Sequence, residues 1–116
     1  MKPKNIKEFK ALVERYETIT LEEIKKGGPM SLSSKRKLTG FGWNNTCTLC
    51  QAVLQKDNWG NKYKCNDCVY GKQNGCLRYE NTNTYYRIVN AGTSRELFSA
   101  YRARAKHLKK TYPQYL

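Results

Sequence analysis

The sequence predicts a small α+β protein in which a cysteine-rich β-hairpin module is flanked by N-terminal and C-terminal helices. Apolar residues recur at helical spacing near both ends of the 116-residue chain. Between them, two Cys-x-x-Cys pairs enclose a fourteen-residue spacer with Asp, Asn and Gly near its middle, which is typical of a hairpin turn. This length suits one compact domain. We divide it into segments 1–26, 27–46, 47–80 and 81–116.

The N-terminal segment, residues 1–26, is predicted to form two helices. The first has an apolar stripe at helical spacing, made of Ile6, Phe9, Leu12, Val13 and Tyr16. Thr20, with Glu23 three residues later, forms a capping box that starts a second short helix, which we expect to run to about Lys26. Segment 27–46 shows no periodicity and is predicted to be a linker or long loop.

Four cysteines carry the strongest chemical signal, and they are Cys47, Cys50, Cys65 and Cys68. Each Cys-x-x-Cys turn offers two thiolates, and a hairpin that brings the two turns together completes the tetrahedral ligand set of a structural Zn²⁺ site. An iron–sulfur cluster uses the same ligands and remains an alternative. Cys76 is a fifth cysteine, interpreted either as a buried thiol or as a replacement for one of the four ligands.

The cysteine region resembles known tetracysteine modules. YKCNDC is similar to the second knuckle of zinc ribbons, and this resemblance covers Cys47 to about Gly71. The two cysteine pairs, followed by Gly75-Cys76 and a basic terminal helix, also resemble small tetracysteine proteins of tailed phages. The first resemblance implies a zinc-ribbon hairpin, and the second implies a phage or mobile-element origin.

The C-terminal segment is predicted to be helical. For residues 82–92 strand and helix both remain open, because Tyr85, Tyr86, Ile88 and Val89 favour a strand by propensity whereas Gly92 suits a helix end. Beyond it, Thr93 and Glu96 form a second capping box, so a helix is expected to run to about Lys110. One arc of this helix is apolar, and Arg104 lies on its far side.

An adjacent arc of the C-terminal helix is basic and carries no acidic residue: Arg95, Arg102, Lys106, Lys109 and Lys110. A second basic cluster precedes two aromatic residues in the linker: Lys35, Arg36, Lys37, Phe41 and Trp43. Lysine and arginine meet phosphates and aromatic rings stack on bases, so both sets are candidate nucleic-acid contacts. The alternative is that the cations are merely solvated and the two rings pack against the zinc module.

Composition limits the classes of function. The formal charge of +13 points to a polyanionic partner. The start, MKPKNIKEFK, lacks the apolar core of a signal peptide, and no long apolar run follows. We therefore expect a cytoplasmic protein without a membrane partner. If the protein is phage-encoded, we expect it in the host cytoplasm. A full set of four thiolates leaves no open metal position, and no catalytic motif appears, so neither an enzyme nor a small-molecule substrate is expected.

Two functions remain at this stage. The first is nucleic-acid binding, to DNA or RNA, through the basic C-terminal helix. The second is that of a phage accessory protein that binds and inhibits or modifies a host protein or nucleoprotein complex, as an anti-defence or transcription-modifying factor. Phosphate binding depends steeply on salt, and an apolar protein interface does not, so salt dependence separates the two.

Overall fold

The architecture is described from a computed structural model that covers residues 3–28, 30–40, 49, 54–57, 60–63, 68–70 and 79–116. Five helices carry most of the described chain. They are α1 (Ile6–Thr18), α2 (Leu21–Lys26), α3 (Leu32–Thr39), α4 (Tyr79–Asn90) and α5 (Ser94–Thr111), followed by a 3₁₀ turn at Pro113–Tyr115.

The predicted α+β fold class is wrong, because the described structure is that of a small helical protein. Two short strands, β1 (Leu54–Asp57) and β2 (Gly60–Tyr63), pair antiparallel in the region where the hairpin was expected. Among the residues whose side chains are described, however, the buried apolar cluster comes mainly from α1, α4 and α5. A two-stranded hairpin buries too little surface to define a fold. The helices therefore set the architecture.

Helix α5 lies at the centre of this fold, where it packs against α1, α2 and α4. Its contacts with α1 include two aromatic pairs: Tyr16 stacks on Tyr101 with ring centroids 5.5 Å apart, and Phe9 meets Tyr112 edge-on at 5.7 Å. An early residue of α1 thus meets the residue that ends α5, and a late residue of α1 meets the middle of α5. The two helices are therefore antiparallel.

The predicted capping box at Thr20 is confirmed, and at Thr93 the predicted cap is present without the reciprocal bond that would complete a box. The Thr20 hydroxyl accepts a hydrogen bond from the Glu23 amide, and the Glu23 carboxylate accepts one from the Thr20 amide, both at 3.2 Å. At the start of α5, the Thr93 hydroxyl accepts from the Glu96 amide at 3.1 Å. These bonds satisfy amides that a helix leaves without an internal partner, and they fix where α2 and α5 begin.

Helix α3 lies inside the segment predicted to be a loop, so that prediction is wrong over 32–39. Ser31 caps its first turn by accepting from the Ser34 amide at 3.2 Å, and Gly40 ends it in the left-handed conformation with φ of 79°. Its buried positions include Lys35 and Thr39, which are polar. A search for apolar periodicity consequently finds no stripe there.

Residues 82–92, for which strand and helix were both open, belong to helix α4 up to Asn90. The helix begins at Tyr79, before the segment for which the two alternatives were open. Tyr85, Ile88 and Ala91 are buried at a spacing of three residues, which is the helical and not the strand period. Packing against α5 therefore overrides the strand propensity of this segment.

Three helices end against a cation supplied by another helix. Arg102 of α5 binds the end of α1, Arg15 of α1 binds the end of α3, and Lys35 of α3 binds the end of α4. The last carbonyl groups of a helix lack internal donors and carry the negative end of the helix dipole, so a cation stabilises them. These three interactions connect α1, α3, α4 and α5.

Candidate functional site

The cysteine motifs are described in part. Cys68 is buried beside the helical core, whereas Cys47, Cys50, Cys65 and Cys76 lie outside the described residues. Within the described ranges, no group of three or more His, Cys, Asp or Glu residues is placed to hold a metal ion. The zinc ligand set consequently remains a prediction, and the surroundings of Cys68 are the structural information that bears on it.

The side chain of Asn5 joins both cysteine motifs to α1. Its amide Nδ2 donates to the carbonyl oxygen of Leu49 at 3.1 Å and to Cys68 Sγ at 3.0 Å. Its Oδ1 accepts from the Val69 amide at 2.8 Å. Asn5 itself is completely buried. We refer to this set of three hydrogen bonds as the Asn5 clasp.

The Asn5 clasp brings one described residue from each Cys-x-x-Cys pair close together. Leu49 stands between Cys47 and Cys50 in the sequence, and Cys68 is the last cysteine of the second pair. Since Leu49 O and Cys68 Sγ both contact one nitrogen, they lie within about 6 Å of each other. This proximity is what a shared metal site requires. An N–H donor on a cysteine sulfur is also typical of the shell around metal-bound thiolates.

Asn5 was missed by sequence reasoning. It immediately precedes α1, and asparagine at that position ordinarily caps the helix with its own side chain. Here it occupies the N-cap without making a side-chain cap hydrogen bond. Asn5 therefore reads in the sequence as an ordinary helix start, and only the tertiary structure reveals its contact with the cysteine segments.

The segment that follows Cys68 is anchored in the helical core. Val69 and Tyr70 are buried, and the Tyr70 ring meets Phe9 at 6.0 Å and Tyr112 at 5.6 Å, both edge-on. Such aromatic contacts stabilise beyond the area that they bury. Cys68 and the two residues after it are thus tied to the start of α1 through Asn5 and Phe9.

Arg102, predicted to bind phosphate, has a structural position instead. Its guanidinium donates to the carbonyl oxygens of Tyr16 and Ile19 at the end of α1, the latter at 2.8 Å. It also lies over the Phe98 ring, 4.5 Å from the centroid. A guanidinium held by two carbonyls and a ring caps a helix, so Arg102 is not among the cations of α5 that are free of partners.

Lys35, the first residue of the basic triplet, is only 1% exposed. Its ammonium donates to the Val89 and Ala91 carbonyl oxygens at 2.9 and 3.0 Å. Burial lowers the pKa of this ammonium. A buried ammonium that is already bonded to two carbonyls cannot reach a phosphate, so the prediction for Lys35 is also wrong.

Two more cations of α5 have partners in neighbouring elements. Lys109 forms an ion pair with Glu17 of α1. Arg104 is 2% exposed and donates to Thr84 Oγ1 at 2.8 Å and to the Tyr70 hydroxyl at 3.2 Å. The basic arc was free of acids within its own helix, but Glu17 approaches it from the helix alongside.

The remaining predicted contacts divide into two groups. Arg95, Lys106 and Lys110 are exposed on α5, and no ion pair or hydrogen bond links them to another residue in the described part of the chain. In α3, Lys37 is exposed and Arg36 is half-buried. The two linker aromatics, Phe41 and Trp43, lie outside the described residues. We call Arg95, Lys106 and Lys110 the α5 row.

No helix among the described residues has the length and apolar character needed to cross a membrane.

Comparison with known proteins adds no family to these observations. No family model, curated protein or solved structure matches this chain. The cysteine motifs, the Asn5 clasp and the distribution of charge are the features of this chain that bear on its function.

Proposed function

We propose that this protein is a small zinc-binding helical protein that binds nucleic acid through the exposed cations of α5. The observation that carries the proposal is the α5 row, whose cations remain without partners in the described structure after the helix caps and ion pairs have been assigned. From Arg95 to Lys110 the row extends about 22 Å at a rise of about 1.5 Å per residue. Double-stranded DNA presents one negative charge for about every 1.7 Å of its axis, so a row of this length faces many phosphates.

The test is a titration of labelled DNA and RNA oligonucleotides at salt concentrations between about 50 and 200 mM. Replacing the α5 row with Arg95→Gln, Lys106→Gln and Lys110→Gln should weaken binding, and the slope of log K against log salt should fall by about one for each cation that no longer meets a phosphate. The matched control is Lys7→Gln, Lys10→Gln and Lys25→Gln, which removes the same charge from α1 and α2 and should have a smaller effect.

Two outcomes would oppose this function. If the parent protein binds neither DNA nor RNA at low salt, the α5 row does not bind phosphate, and a protein partner becomes the better interpretation. If both triple variants weaken binding equally, net charge alone acts and the row has no special role. Arg102 is left unchanged in both variants because its replacement would destabilise the end of α1.

The proposed metal is one structural Zn²⁺ per chain, held by the four paired cysteines. The Asn5 clasp supports this, because it brings segments of both Cys-x-x-Cys pairs together and gives Cys68 Sγ an N–H donor. A structural Zn²⁺ of this type contributes on the order of 10 kcal/mol to folding. Elemental analysis should find about one zinc, which Cys68→Ser should reduce and Cys76→Ser should not. If Cys76→Ser loses zinc, Cys76 is a zinc ligand and the assignment to the four paired cysteines is wrong.

A further inference from the structure

A groove of about 420 Å³ lies between α4 and the first turns of α5. The wall on α4 is formed by Asn83, Tyr86, Arg87 and Asn90, which lie at helical spacing on one exposed face. Glu96 and Ser99 of α5 face them across the groove. This volume falls at the lower end of the range for small-ligand sites and exceeds what one nucleobase needs.

Tyr86 gives the groove an accessible aromatic ring. It is 52% exposed, whereas the other tyrosines whose side chains are described are buried or half-buried. The buried ring of Tyr85 lies edge-on to it at 5.4 Å. An exposed ring is a platform on which an unpaired base stacks, and such stacking tolerates any base.

The polar residues of the groove match the rest of a nucleotide. An asparagine amide both donates and accepts, so Asn83 and Asn90 offer paired hydrogen bonds to a base edge. Arg87 supplies a guanidinium suited to phosphate. The Glu96 carboxylate, whose Oε1 accepts from the Thr93 hydroxyl at 3.2 Å, has a second oxygen that can accept from an exocyclic amine. An apolar ligand would leave these groups without partners, which disfavours that class of occupant.

The groove is continuous with the α5 row. Ser99 lines the groove and lies on the same face of α5 as Arg95 and Lys106, because these positions fall within about 40° of one another at about 100° per residue. A strand that leaves the groove along this face would meet the cations of the row. In a duplex the bases are stacked inside and cannot enter such a groove without flipping.

We propose that the groove between α4 and α5 binds an unpaired base of single-stranded nucleic acid, with Tyr86 as the stacking platform and Arg87 as the phosphate contact. The proposal rests on the nucleic-acid function above, and it assigns single strands as the preferred class. Single-stranded DNA and RNA share this chemistry, and the two are separated by testing one sequence in both forms.

The test measures the affinity of the full chain for a fluorescent oligonucleotide as a single strand and as a duplex. Tyr86→Ala should weaken single-strand binding by about 5- to 100-fold, the range expected for one stacked base, and should change duplex binding by less than about twofold. Tyr86→Phe keeps the ring and should bind like the parent. A 2-aminopurine in the oligonucleotide should be quenched by the parent and by Tyr86→Phe but not by Tyr86→Ala.

The outcomes separate this inference from the function on which it rests. If the parent binds with the expected salt dependence and Tyr86→Ala binds single strands equally well, the groove is not a base site and the proposed function stands. If Tyr86→Ala weakens binding to single strands and to duplex equally, the proposal that the groove binds an unpaired base is also wrong. If the parent binds no nucleic acid, both proposals fail. Tyr86→Leu, which keeps apolar area without a ring, should behave as Tyr86→Ala does, and unchanged urea midpoints would exclude misfolding.

Discussion

Replacing Arg102 tests whether a cation of the basic arc serves the fold or the ligand. Arg102→Met keeps a long apolar stem but removes the guanidinium that donates to Tyr16 and Ile19 and lies over Phe98. The structural interpretation predicts a loss of stability with no change in the salt slope of nucleic-acid binding. The sequence-based interpretation predicts the reverse.

The expected magnitude follows from these interactions. A hydrogen bond from a charged donor contributes about 1.5–3 kcal/mol. The lower value applies to Arg102 because its side chain is only half-buried. Two such bonds and a cation–π interaction of about 0.5–1 kcal/mol give a destabilisation of about 3–4 kcal/mol. For a domain of this length that corresponds to a fall in Tm of roughly 10–15 °C.

The assay is urea unfolding followed by far-ultraviolet circular dichroism, together with the salt dependence of oligonucleotide binding. Lys106→Met, one turn further along the same face, is the matched control and should change stability by no more than about 0.5 kcal/mol. If Arg102→Met is as stable as this control, the cap interpretation is refuted. A fall of about one in the salt slope on replacing Arg102 would restore it as a residue that binds phosphate.

Three other outcomes are expected. Asn5→Ala removes the three hydrogen bonds of the Asn5 clasp, so the free energy of unfolding should fall by about 3 kcal/mol. A chelator should also extract zinc faster from this variant. An unchanged extraction rate would contradict the role of the clasp. Lys35→Met leaves two carbonyls at the end of α4 without their donor, so the free energy of unfolding should fall by about 1–3 kcal/mol, and an unchanged urea midpoint would contradict the cap. Hydrogen bonding to Arg15 lowers the pKa of Glu23 below its ordinary value of 4.5. The stabilisation that ionised Glu23 gives to the fold is therefore present above pH 4.5 and is lost as pH falls through the pKa of the folded state. Glu23→Gln should flatten that part of the stability profile, and a profile parallel to that of the parent would count against the pairing.

Local sequence signals predicted the elements whose own residues determine them. Helices α1, α2 and α5 were found because an apolar stripe or a capping box lies within each segment. Helix α3 was missed because Lys35 and Thr39 take positions that an apolar residue usually holds. The fold class was wrong because the cysteine spacing indicates a hairpin but carries no information on the five helices that make up most of the described chain.

The candidate nucleic-acid residues show a second limit of prediction from the sequence. Whether Arg102 or Lys109 is available to a ligand depends on α1, which supplies carbonyl oxygens to the first and Glu17 to the second. No pattern within α5 contains that information. The groove at Tyr86 was overlooked for the same reason, since its wall on α4 becomes a site only where the first turns of α5 face it.

The helix-end caps have a consequence for the electric field around the molecule. Lys35 and Arg102 are each held by backbone carbonyl groups, which are dipoles without net charge. A carboxylate at either place would cancel one positive charge at long range, whereas a carbonyl leaves it uncancelled. These two junctions between helices are therefore made without lowering the net charge of +13. An approaching polyanion is attracted even by cations that it never touches, and such cations contribute to the rate of encounter and not to the bound interface.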